Sequence, residues 1–217
     1  MRRLLLFPIA ATLLFPTIAT SVVVDRVAVI VGKRVVKSSD ILRDLRVAAF
    51  LNHEKLQIDS DTKRRAADRL VDQEIVRQEV ATGRYNSATN QDAQALMQKI
   101  RHERFGGVAP RLTADLSKYE LTEDQLQVRL QWQLTVLRFI EQRFRPGVLV
   151  TDEEVRTYYD QHSQESRSST SKENTFELSA PKIRTQLESE RIDKDFDAWI
   201  KQARSRIRVE YHDEAFQ

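Results

Sequence analysis

The chain has 217 residues, no Cys, five Gly, five Pro, 31% charged residues and a formal charge of +3. That length supports a sound core in one or two domains, and the lack of Cys excludes disulfides, a thiol nucleophile and a lipid-modified N-terminal Cys. Scarce Gly and Pro favour long helices over tight turns. The basicity is shallow, because Arg2 and Arg3 supply two of the three surplus charges. The densest basic cluster (Lys63, Arg64, Arg65, Arg69) is interleaved with Asp61, Asp68 and Asp72. Such alternation marks a solvated helix face, and nucleic acid is not an expected partner.

The first 21 residues, MRRLLLFPIAATLLFPTIATS, have the layout of a cleavable signal peptide: a basic start, an apolar run from Leu4 to Phe15, then small residues. Pro8 and Pro16 interrupt a run shorter than the roughly 20 residues of a spanning helix, so stable membrane insertion is not expected. Export to the periplasm is. Next, VDRVAVIVGKRVV alternates and is β-branched, and Gly32-Lys33 suits a two-residue II′ turn, which predicts a hairpin. Ser38 or Ser39 can cap a helix whose Ile41, Leu45, Ala48 and Ala49 share a face. Further helices are predicted from Ser60 to Thr82 before Gly83, from Asn90 to Phe105 before Gly106-Gly107, and from Pro110 to about Tyr119.

The clearest signal is LTEDQLQVRLQWQLTVLRFIEQRFRPG. Thr122 and Gln125 form a capping box, Leu121 can staple the entry, and Pro146-Gly147 ends the run. At about 100° per residue this rod has two apolar faces. Leu126, Leu130, Leu137, Ile140 and Phe144 share one arc, with Leu134 at its edge; Val128, Trp132, Val136 and Phe139 lie opposite. Two buried layers would explain the second face. So would a groove for a molecule the chain does not encode.

Beyond the rod, Thr151 and Glu154 form a second capping box heading a short helix, and the acidic Asp152-Glu153-Glu154 belongs to its first turn. Residues 163–179 are rich in Ser, Thr, Glu and Lys and read as a polar linker. A last helix is predicted from about Ser179-Ala180, with Pro181 in its first turn and Ile192, Phe196, Trp199 and Ala203 as its buried stripe. Ile207, Val209 and Tyr211 then alternate as a strand, and the hairpin at the other end is its obvious partner. The expected fold class is mostly α, a multi-helix core with a small β-sheet built from the N-terminal hairpin and the C-terminal strand.

Catalytic and cofactor motifs fail one by one. Gly32-Lys33 has Val27 where a phosphate-binding loop needs its first Gly. His102-Glu103 starts like a zinc-protease motif, but Gly106 stands at the second ligand position. His53, His162 and His212 are scattered, and no G-x-S-x-G elbow exists. No enzyme activity, cofactor or metal is expected.

In order and pattern, the segments VDRVAVIVGKRVVKSSDIL, RLVDQEIVRQEVA, LTEDQLQVRLQWQLTVLRFIEQRF, VTDEEVRTYYDQH and RIDKDFDAWIKQARSRIRVEYHDEAF resemble the SurA family of periplasmic chaperones, and in particular its N-terminal domain. The resemblance covers nearly everything after residue 21. It implies a chaperone domain over residues 22–162, completed by a C-terminal helix and strand over 180–217. In that family one or two parvulin-type prolyl isomerase domains, each on the order of 90–100 residues, sit where this chain has only the 163–179 linker. Isomerase activity is therefore not carried over, whereas binding of unfolded outer-membrane or secreted polypeptides is. The candidate peptide-binding residues are Trp132, Val136 and Phe139 on the rod, with Phe105 as a fourth. A scaffold or dimeric adaptor role, with the second face covered by a second copy, and residual isomerase activity are the competing readings.

Overall fold

The computed structural model describes residues 25–163 and 176–217. The expected signal peptide and most of the expected linker lie outside the described residues. Two short strands, β1 (Val27–Val31) and β2 (Arg34–Lys37), form the hairpin, and seven helices follow: α1 (Ser38–Asn52), α2 (Ser60–Thr82), α3 (Asn90–Phe105), α4 (Ala109–Ser117), α5 (Glu123–Phe144), α6 (Asp152–Ser163) and α7 (Phe176–Ser205). Strand β3 (Val209–Tyr211) closes the order. The described residues are thus mostly helical with one small antiparallel sheet, as the sequence predicts.

The ends of the chain meet in that sheet. Its order is β2-β1-β3, with β1 central and both neighbours antiparallel. Val29 faces Val36 on one side and Tyr211 on the other. Two backbone bonds extend the second junction, Gly32 N–H to Arg208 O and His212 N–H to Ala28 O, both 2.9 Å. Gly32 has φ +60, the left-handed value that the first central position of a II′ turn demands, and Lys33 stays at negative φ. The register shifts by one residue between Val27, which pairs with Lys37, and Val29, which pairs with Val36, so Val27 turns outward although its parity matches buried Val29 and Val31.

Helix limits follow local chemistry closely. Asp59 accepts from Thr62 N–H to start α2, Thr89 and Asp92 box the start of α3, and Thr122 and Gln125 box α5. Helix α3 stops at Gly106, φ +62, whose N–H bonds back to His102 O. The acidic first turn of α6 is committed to structure. Glu154 accepts from Thr151 N–H and pairs with Arg191, which holds its carboxyl below the usual range, and Asp152 pairs with Arg184. Helix α7 departs from expectation. It begins at Phe176, inside the stretch read as linker, and Pro181 lies in its second turn rather than its first. The Phe176 ring explains the early start, since it packs edge-on against Tyr159 at 5.5 Å and under the Arg156 guanidinium at 4.7 Å.

Two clusters of buried residues form much of the core of the described residues. One joins the sheet to α1, α2 and α7 through residues such as Val29, Val31, Ile41, Val71 and Ile75. The other joins α1, α3, α4 and α5 around Phe50, Met97, Leu112, Leu116 and Leu126. Helix α5 enters the second cluster through Leu126 and Leu130, and its C-terminal end packs on α7 through Phe139 and Trp199. Its predicted core arc holds at Leu126 and Leu130, but Leu137 is 58% exposed.

Candidate functional site

A cleft of about 620 Å3 opens between α1, α2 and the N-terminal half of α5, with β2 along one side. Its α5 wall runs from Gln125 to Thr135 and its α2 wall from Leu70 to Ala81. Such a volume lies within the usual range for ligand sites. Two valines on its lining are exposed, Val35 on β2 at 48% and Val128 on α5 at 68%.

Trp132 lies on the α5 wall, half-buried. Its indole N–H donates to Gln73 Oε1 at 3.0 Å, and the Arg77 guanidinium sits 4.1 Å from the ring centroid. The same Gln73 oxygen accepts from Arg129 Nη1 at 3.3 Å. Arg129 also donates to Asp44 Oδ1 at 2.6 Å, while Arg69 donates to Asp44 Oδ2 at 2.8 Å. The Asp44 side chain is 1% exposed. A carboxylate so buried is tolerable only when both oxygens are answered by charge-assisted bonds, as here. The network joins α1 through Asp44, α2 through Arg69 and Gln73, and α5 through Arg129 and Trp132. It fixes the indole from behind.

The remaining cleft charges are also matched within the protein. Arg43 Nη1 lies 3.1 Å from Asp40 Oδ1, and Glu74 holds Arg34 at 3.2 Å and Arg77 at 3.3 Å. Three arginines and three carboxylates line the cleft, so its formal charge is zero. Ala88 forms part of the floor, its N–H donating to Thr135 Oγ1 at 3.0 Å and its carbonyl accepting from Gln131 Nε2 at 3.0 Å.

The four residues singled out from sequence separate in space. Trp132 lines the cleft; Val136 is partly buried and does not. Phe139 is wholly buried, 0% exposed, and this corrects its assignment to a peptide-binding surface. It sits at the centre of an aromatic cluster, 4.8 Å from Tyr85, 5.3 Å from Trp199 and 6.0 Å from Phe144, with no side open to a client. Phe105 lies at the end of α3 beneath Arg104, packed on the second core cluster and away from the cleft lining. Sequence patterning does not single out Asp44, Gln73, Arg77 or Val35 as cleft residues. One signal was available, because Asp44 stands between Ile41 and Leu45 on the apolar stripe of α1, where an unpaired carboxylate has no place.

Among the described residues, no group of three or more His, Cys, Asp or Glu side chains is placed to hold a metal ion. His53 meets Arg104 at 3.1 Å, and His162 stacks on Tyr158 at 3.9 Å. Gly32-Lys33 forms the hairpin turn. None of the described helices is long and apolar enough to cross a membrane. No protein-family model matches the chain, and no curated protein matches it.

Proposed function

We propose that the chain is an ATP-independent chaperone of the cell envelope, of SurA type and without an isomerase domain, that shelters unfolded polypeptide in the α1–α2–α5 cleft. The observation that carries this reading is a cleft with exposed Val35 and Val128 and half-buried Trp132 on its walls, and no surplus charge. An unfolded client presents uncharged apolar side chains on an extended chain, and burying one large side chain yields about 1.5–3 kcal/mol. Three such contacts supply about 4.5–9 kcal/mol before the cost of ordering a flexible segment, so net binding is weak and no tighter than micromolar, about −8 kcal/mol. Binding of that strength delays aggregation yet releases the client unaided.

The test is light scattering from a heated or diluted β-barrel client with the purified protein present. The expected result is suppression at equimolar to several-fold excess without nucleotide. Undiminished aggregation at tenfold excess would overturn the proposal, as would a stable dimer that buries the cleft and has no affinity for peptides.

A further inference from the structure

We infer that the cleft grips its client by the main chain, using side-chain amides to hold an uncharged extended segment of about four or five residues, without selecting a particular sequence. This deepens the chaperone reading and rests on it. The inference starts from what the cleft leaves unused. Each of its guanidinium groups has a carboxylate beside it, Asp44 for Arg129, Glu74 for Arg77 and Asp40 for Arg43, although a single donor such as Arg129 Nε is left without a partner. A phosphate or a carboxylate entering the cleft would lose hydration and meet no spare cation.

Among the uncharged side chains of the lining, three amides each keep one atom without a partner among the described residues. Gln73 uses its oxygen on Trp132 and Arg129, and its Nε2 has no partner among the described residues. Gln125 uses its oxygen on Thr122 N–H at 3.0 Å, and its Nε2 is likewise unused. Gln131 is reversed: Nε2 is spent on Ala88 O, and Oε1 is the spare atom. Each amide is therefore held at one end and offers the other. Together they present donors from two residues and an acceptor from a third, the same complement that a peptide backbone carries on its C=O and N–H groups.

Length agrees with that chemistry. From Gln125 to Thr135 the α5 wall rises about 15 Å at about 1.5 Å per residue, and an extended chain covers that distance in four or five residues at about 3.3 Å each. Alternate side chains of such a segment point to opposite sides, so those turned inward meet Val35, Val128 and Trp132. Those contacts ask for apolar character and little more.

The experiment titrates the full protein with capped eight-residue peptides of alternating Val and Thr, read by tryptophan fluorescence. One peptide carries the plain sequence, one a scrambled order, and one has two central amides replaced by esters, which removes backbone donors and weakens backbone acceptors at nearly constant shape. The expected results are a scrambled peptide within about twofold of the plain one and an ester peptide weaker by about tenfold, equivalent to about 1.4 kcal/mol. Gln125→Glu, which keeps the oxygen that caps α5 but loses the donor, weakens the plain peptide about fivefold, with the fold checked by circular dichroism. Equal binding of ester and amide peptides, or displacement of the plain peptide by millimolar inorganic phosphate, overturns main-chain reading and leaves the chaperone proposal standing. If neither the peptides nor an unfolded β-barrel client binds the wild-type protein, both fall.

Discussion

Asp44→Asn tests the physical frame of the cleft most directly. The substitution keeps shape and removes charge from a side chain 1% exposed that takes bonds from Arg129 and Arg69. A hydrogen bond to a charged group contributes about 1.5–3 kcal/mol. The Arg129 bond is worth something near that range, because its side chain is 20% exposed. Arg69 is 47% exposed, so its bond is discounted to the surface range of about 0.5 kcal/mol. The replacement amide can still accept one bond, but its NH2 group would confront a guanidinium. The expected loss is about 2–3 kcal/mol, a large part of a typical domain's stability of about 5–15 kcal/mol. Urea unfolding followed by tryptophan fluorescence measures it; at a slope of about 2 kcal/mol per molar the midpoint falls by about 1–1.5 M. Because the carboxylate is buried, the difference should persist in about 1 M salt, where surface pairs are screened. A loss below about 0.5 kcal/mol, or a coupling with Arg129→Met that vanishes in a double-mutant cycle, refutes the reasoning.

Trp132→Ala is expected to weaken peptide binding about tenfold while leaving unfolding cooperative; unchanged affinity would remove the cleft from the function. Phe139→Ala should do the reverse, costing about 3–5 kcal/mol of stability as a core truncation with peptide affinity retained in the folded fraction; calorimetric titration reads the affinity of both variants and urea unfolding their stability. Burial, reinforced by the hydrogen bond to Asp68, pushes the Tyr211 hydroxyl up to about 12. The folded state thus holds that proton more tightly than the unfolded one, and the stabilisation is present below pH 10 and lost as pH rises through about 12. Tyr211→Phe should flatten the alkaline limb of a melting-temperature profile, and an unchanged limb would count against the Asp68–Tyr211 clasp. The Thr89 N–H, then Arg138 and the Thr89 hydroxyl, hold Asp92 down to about 2. Its stabilisation is present above its ordinary value of 3.8 and lost as pH falls through about 2; Asp92→Asn should therefore melt with less pH dependence across that window than the parent.

Features that depend on neighbours a few residues away are legible in the amino-acid order. Asp59, Thr89 and Thr122 start their helices because each side chain reaches a backbone N–H three residues on. Gly32 turns the hairpin because its φ is +60. That the C-terminal strand joins the hairpin is also legible, since a lone strand must find an edge, but the choice of β1 over β2 is not. Tertiary structure decided which part of each apolar face stays covered. Trp132 and Phe139 share a face of α5, yet α7 brings Trp199 and Phe196 only to its C-terminal end, around Phe139 and Phe144. Phe139 is sealed, while the N-terminal half of the same helix is left to wall a cleft. Asp44 makes the same point in electrostatic terms. Its burial depends on guanidinium groups 25 and 85 residues along the chain, and helical periodicity carries no information about bonds at that range.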